Sequence, residues 1–205
     1  MIVDRAGQKG TGKWSVIEAQ MMGVPATAIE AAVAARSLSS FKSEREAAEA
    51  LYGPLKTRFR AKATPAFLRQ LELALFAAKI CAYAQGFAVM EAASKEFSWN
   101  LPMATIAKIW RAGCIIRSQF LDTISGSYKK KDKPVNLLAA PQFVKMMKQG
   151  HGPLRKTVAL AAESGIPVPA LSSALSYFDS YRQGRGVANL IQAQRDFFGA
   201  HGFER

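Results

Sequence analysis

Apolar residues recur at steps of three and four along most of the 205-residue chain, and no stretch holds the two-residue alternation and hairpin turns of strands. The pattern predicts an all-α protein. The clearest stripe runs from Thr64 to about Phe97, where Phe67, Leu68, Leu71, Leu75, Ala78, Ala82, Tyr83, Phe87 and Met90 are expected on one helical face. Thr64 followed by Pro65 is a helix start, because the hydroxyl accepts from an otherwise orphaned amide and proline is tolerated in the first turn. At about 1.5 Å per residue such a helix reaches roughly 45 to 50 Å, longer than a small domain is wide, and is expected to form the central spine. Gly86 within it is expected to permit close helix packing.

Glycine and proline divide the remainder into shorter helices. Gly23 and Pro25 split two near the start, Gly53-Pro54 ends another, and Asn100 to Pro102 opens one that reaches Trp110. Further breaks are expected at Gly126, Gly150 to Pro153, Gly165 to Pro169 and Gly184 to Gly186, for a total of roughly eight to ten helices around one long central helix. No linker of low complexity separates two halves, so a single domain is expected over residues 1–205. The run Lys129 to Lys133 reads as a solvated loop.

With 49% hydrophobic and 21% charged residues, a chain of this length buries a substantial core. Lys, Arg, Glu or Gln interrupts every apolar run before the roughly 20 residues of a membrane span, and the opening MIVDRAGQKG lacks the apolar segment of a signal peptide. A cytoplasmic protein is expected. Cys81 and Cys114 have no CxxC or histidine partner at ligand spacing, which predicts buried thiols in a reducing compartment, with neither a metal site nor a disulfide framework. The formal net charge of +13 points to an anionic partner. Its basic residues are scattered, with no arginine-rich arm or aromatic stacking motif, which argues against nucleic acid. No helix combines a basic face with a large aromatic one, which argues against a membrane surface.

The segment from Gly7 to Trp14, GQKGTGKW, nearly satisfies the nucleotide-binding pattern GxxxxGK[ST]. It fails on chemistry: Trp14 stands where a hydroxyl must bind magnesium, and only six residues precede Gly7, too few for the strand that positions such a loop. The loop still suits an anion, since glycines let backbone amides approach a ligand and the next helix presents its positive end, with Lys9 and Lys13 adding charge. Solvated lysines in a glycine-rich helix entry are the alternative.

Read together, AGQKGTGKW, GVP and ARSLSS resemble the decarboxylating 6-phosphogluconate dehydrogenases. So do AAKICAYAQGF (77–87), IAKIWRAGCIIRSQFL (106–121), GIPVPALSSALSYFDSYR (165–182) and ANLIQAQRDFFGAH (188–201). The resemblance implies the helical C-terminal domain of that family, a homodimer, and a 6-phosphogluconate site shared between subunits. Lys9 in AGQKG and Arg36 in ARSLSS would contact substrate from one subunit, and Arg195 and His201 in QRDFFGAH from its partner. These residue types suit an anionic sugar, since arginine offers a fork matching phosphate oxygens, lysine a mobile charge and histidine a donor. Arg36 lies in the alanine-rich stretch 31–38, where burial is expected to demand an anionic partner. His151 is expected to be exposed and without a site role.

The resemblance also implies NADP-dependent oxidation, loss of carbon dioxide, and protonation of an enol to give ribulose 5-phosphate. The family's lysine base and glutamate acid precede AGQKG, so neither is expected in this chain, and no GxGxxG follows a strand to hold NADP. The chain departs from the family at Gly202, which replaces a usually hydroxylated residue, and it stops at Arg205 before the tail that ordinarily wraps the partner; both departures bear on the His201 contact and on the dimer's strength.

Overall fold

The structure is a computed structural model, and it describes residues 2–56, 61–113, 118–129 and 133–204. Among these residues there are nine α-helices and no strand. They are α1 (Thr11–Met21), α2 (Thr27–Ser40), α3 (Lys42–Tyr52), α4 (Pro65–Glu96) and α5 (Met103–Gly113). After them come α6 (Phe120–Tyr128), α7 (Pro141–Glu163), α8 (Pro169–Tyr181) and α9 (Ala188–Gly199), with a 3-10 turn at Leu137–Ala139.

The long helix begins as its sequence dictates: Phe67 N–H donates to the Thr64 hydroxyl at 3.2 Å, and Pro65 opens the first turn. Its 32 residues form the spine against which α7, α8 and α2 pack. By length and composition α4 is apolar enough to cross a membrane, with a best window of mean hydropathy 1.6, contrary to the expectation that no segment would be. Ile80, Cys81, Ala84 and Phe87 on it are nevertheless fully covered by neighbouring helices, together with Leu121, Ile124, Phe143, Met147 and Leu154. Each large side chain so covered contributes about 1.5–3 kcal/mol. Phe120 lies edge-on to Phe76, Tyr83 and Phe143 at 5.3 to 5.4 Å, and Phe87 stacks on Tyr128 at 5.4 Å.

The anticipated stripe on α4 is only half buried. Leu68 and Leu75 are more than half exposed, whereas Ala74, Ala77 and Ala78 are covered. Alanines win the interior at this end because α7 crosses α4 too closely for leucine. A Cβ added at Gly150 would stand 2.8 Å from the Ala77 Cβ and 3.2 Å from the Leu73 carbonyl. This crossing also corrects the break expected at Gly150 to Pro153, since α7 continues through Pro153. Packing along its whole length outweighs the one amide bond that proline removes. Gly126 likewise lies inside α6 and breaks nothing.

The start of α2 is held from a distance. Ala26 precedes it without a side-chain cap, and Gln85 of α4, fully buried, supplies one instead. Its Oε1 accepts from Ala28 N–H at 3.0 Å, while its Nε2 donates to the Thr27 hydroxyl at 3.3 Å. Farther along, Asp179 of α8 accepts from Arg155 of α7 at 2.6 and 2.7 Å and from Arg182 at 3.0 and 3.2 Å.

Candidate anion-binding site

The segment from Asp4 to Gly10 has no regular structure, yet it is tied down along α2. Ala6 N–H donates to the Ser39 hydroxyl at 3.2 Å, and that hydroxyl also lies within hydrogen-bonding distance of the Ala6 and Arg36 carbonyls. The Gln8 amide donates to the Val33 carbonyl at 3.3 Å and to the Ser37 hydroxyl. Arg45 of α3 anchors the far end, donating to the Asp4 carboxylate at 2.9 Å, the Asp4 carbonyl at 2.8 Å and the Ser39 carbonyl at 3.0 Å. The Arg45 hydrogen bond and charge hold the Asp4 carboxyl below its ordinary value.

Two glycines then turn the chain into α1. Gly10 caps the helix at φ 120°, a conformation that favours glycine, and a Cβ there would meet the Trp14 ring at 3.0 Å. Gly12 brings α1 against α2, since a Cβ on it would stand 3.0 Å from Val33 Cγ2. No side chain caps α1 and no acidic residue lies in its first turn, so its leading amides and positive end are available to an anion.

These constraints produce a pocket of about 170 Å³ lined by Gln8, Lys9, Gly10, Thr11, Gly12, Val33 and Arg36. Lys9 and Arg36 thus meet across it, 27 positions apart in sequence. Arg36 is exposed rather than buried, which corrects the expectation drawn from its alanine-rich surroundings. It sits late in α2, and its Nε donates to the Gly7 carbonyl at 2.6 Å, which aims the guanidinium. Among the described residues its terminal nitrogens have no protein acceptor, so the positive fork faces the pocket without an internal counter-charge.

Arg195 and His201 belong to a different part of the molecule. Both are exposed, Arg195 on α9 and His201 just beyond it, and no described hydrogen bond or ion pair joins them to Lys9 or Arg36. Gly202 N–H donates to Asp196 Oδ1 at 2.7 Å, and the chain turns through Ala200 at φ 50°. The His201 ring folds back over Gly199, 2.6 Å from where a Cβ would stand. No residue of α9 is buried, and its face of Leu190, Ile191, Phe197 and Phe198 lies open.

The other candidates resolve simply. Cys81 is buried, and burial pushes its thiol up to about 12, while Cys114 lies outside the described residues. Among the described residues no group of three His, Cys, Asp or Glu side chains could hold a metal ion. His151 is half-buried inside α7 rather than exposed, its ring 5.6 Å from that of Phe178. Lys129 and Lys133 are exposed, and residues 130–132 of that basic run lie outside the described residues. Sequence reasoning passed over Gln8, Ser37, Ser39 and Gln85, the polar groups that seat the loop and its helix. The one available signal was Gln85, a lone amide in an otherwise apolar run.

The family model for 6-phosphogluconate dehydrogenase, C-terminal domain, matches residues 1–205. The chain is 48% identical over its full length to a decarboxylating 6-phosphogluconate dehydrogenase of Staphylococcus epidermidis, and 47% identical to that of Lactococcus lactis, covering 43% of each. It also superposes, with a TM-score of 0.94 and 40% identity, on a solved 6-phosphogluconate dehydrogenase of Plasmodium falciparum. That protein is described apo, with its cofactor NADP+ and with its substrate 6-phosphogluconate; the match covers all of this chain and 44% of that one. The chain therefore spans less than half the length of these relatives.

Proposed function

Because the chain belongs to the 6-phosphogluconate dehydrogenase family as its C-terminal domain, we propose that it binds the anionic end of 6-phosphogluconate through Lys9, Arg36 and the open N-terminus of α1. The observation that carries this reading is the convergence of those three positive features on one pocket with no protein carboxylate among its lining residues. A guanidinium and helix amides match phosphate oxygens directionally, and a lysine adds a mobile charge. The pocket, at about 170 Å³, holds a compact anionic group and leaves the rest of the sugar to other surfaces.

Arg195 and His201 reach the same substrate from a second copy, in a homodimer whose site is shared between subunits. What supports this is α9, which carries Arg195 and leads directly to His201: it buries none of its own residues and exposes an apolar face suited to a partner. Residues 1–205 act as one unit of a cytoplasmic protein, with neither nucleic acid nor membrane as partner.

The relatives' whole reaction, NADP-dependent oxidative decarboxylation of 6-phosphogluconate to ribulose 5-phosphate, needs more than this chain. NADP is not expected to bind this chain alone, because no GxGxxG following a strand is present to hold a dinucleotide. No hydride or proton transfer is assigned to a residue here. The chain serves the substrate-binding and dimerisation part, and mixed alone with 6-phosphogluconate and NADP it is expected to yield no NADPH absorbance.

A thermal-shift titration with 6-phosphogluconate tests the binding itself, since a ligand of the native state raises apparent stability. At about a hundredfold excess over Kd the gain is about 2.7 kcal/mol, or roughly 5–10 °C for a chain this long. Lys9→Ala and Arg36→Ala are each expected to remove most of the shift. No shift at millimolar ligand, or one unchanged in both variants, refutes the assignment.

A second reading, a non-catalytic helical module that pairs with a separate dinucleotide-binding chain, is favoured by the extent of apolar surface left open beside the pocket. Recovery of turnover on mixing with such a chain is its test.

A further inference from the structure

The chain leaves α9 through a turn that is fixed on both sides of His201. Ala200 takes up the left-handed conformation at φ 50°, and its N–H donates to the Asp196 carbonyl at 2.7 Å. Just past His201, the Gly202 N–H donates to Asp196 Oδ1 at 2.7 Å, with Gly202 at φ 69°, a conformation that favours glycine. His201 therefore sits between two residues that each donate to the same aspartate. Its ring occupies the place of the side chain that Gly199 lacks, since a Cβ there would stand 2.6 Å from both His201 Cδ2 and His201 Nε2.

Positions 195 and 199 are one helical turn apart and share a face of α9. A ring folded onto Gly199 thus lies on the face that carries Arg195. Asp196 is unfavourably placed on charge alone. Its carboxylate stands in the last turn of α9, at the negative end of the helix, and directly follows Arg195, a residue read above as an anion contact. Its hydrogen bond to Gly202 supplies an offsetting interaction and a reason for an acceptor at that position.

We propose that Asp196 and Gly199 are positioning residues for His201. The carboxylate clasps the turn, the missing Cβ admits the ring, and His201 is presented beside Arg195 as a pair of donors for the anionic sugar held by a second copy. The inference rests on the shared-site reading above and supplies what aims the histidine. Gly202, where the chain departs from the family's pattern, belongs to the clasp.

Calorimetric titration of the chain and its variants with 6-phosphogluconate is the test. His201→Ala and Gly199→Ala are each expected to bind about five- to tenfold more weakly than the wild type, the effect of one lost hydrogen bond. The double variant should bind no more weakly than His201→Ala, because both changes remove the same contact. The three atoms nearest a Cβ at Gly199 all belong to the His201 ring, so Gly199→Ala displaces only a side-chain end and should not lower the thermal midpoint of the free chain. Asp196 separates positioning from charge. Removing a carboxylate beside an anion contact strengthens binding on charge alone. Asp196→Ala is nevertheless expected to weaken it about fivefold, and Asp196→Asn, which keeps an acceptor, to bind at least as tightly as the wild type. Wild-type affinity in Gly199→Ala or Asp196→Ala, where His201→Ala is weakened, overturns the proposal and leaves the shared site standing. If the wild type fails to bind, or His201→Ala binds as it does, the shared-site reading falls and takes the proposal with it. The ring's place is also read without ligand. The chain has two histidines, so His201→Ala assigns the ring signals by nuclear magnetic resonance. A nuclear Overhauser contact from the His201 ring to the Gly199 α-protons is expected in the free wild type and should be lost in Asp196→Ala; its absence from the wild type overturns the proposal.

Discussion

Replacing Gly150 with alanine sets two known effects against each other at the crossing of α7 and α4. In an ordinary helix interior the change stabilises by about 0.5–1 kcal/mol, because glycine loses more backbone freedom on folding. Here the new Cβ would lie 2.8 Å from the Ala77 Cβ and 3.2 Å from the Leu73 carbonyl, atoms of a helix rather than the end of a flexible side chain. The helices must part by several tenths of an ångström, loosening Phe143, Met147 and Leu154, which are buried along the same face of α7. Overpacking of this kind costs about 1–3 kcal/mol. The net expectation is a loss of about 1–2 kcal/mol, or roughly 2–8 °C in thermal midpoint. Gly126→Ala in α6 is the control: its Cβ meets nothing within 4 Å, so the propensity gain should appear unopposed. Urea denaturation of the two variants and the wild type gives the comparison. If Gly150→Ala matches or exceeds the wild type in stability, the close crossing does not limit the packing and the account of α4's alanine face is wrong.

Gln85→Leu removes the borrowed cap of α2 and strands the buried Ala28 amide, and it should cost about 1–3 kcal/mol in the same denaturation assay. Burial alone would raise the Asp179 carboxyl, but hydrogen bonds and charge from Arg155 and Arg182 outweigh it and hold the carboxyl below its ordinary 3.8. Its stabilisation is thus present above that value and lost as pH falls through the lower folded value, so the wild type's advantage over Asp179→Asn should vanish in acid. Glu91 is shifted oppositely, since burial outweighs the Tyr128 hydroxyl and the Lys133 charge and raises its carboxyl above 4.5. Its contribution weakens as pH rises through the raised value, so Glu91→Gln should raise the thermal midpoint at pH 7 and not below about pH 4. The Cys81 thiol, buried and raised to about 12, should resist maleimide labelling in the native protein and react once urea unfolds it.

The helices were readable from the chain because their signals act over three or four residues. Thr64-Pro65 starts α4, Gly53 and Gly23 stop helices, and the spacing of apolar residues declares the class. The affiliation and the pairing of Lys9 with Arg36 followed from motifs, which carry residue identity and need no geometry. Breaks at Gly126 and Gly150 were misjudged because local propensity favours a turn there while packing on neighbouring helices favours continuation. Which face of α4 is buried could not be read from a helix apolar nearly all round; the partners of α4 decide it, and they put alanines where α7 crosses. The cap from Gln85 to Ala28 spans 57 positions, and the Arg36 guanidinium is aimed by a carbonyl 29 positions away. Contacts of that separation arise from how helices assemble, so motif resemblance names Lys9 and Arg36 and only the assembly of the helices makes a pocket of them.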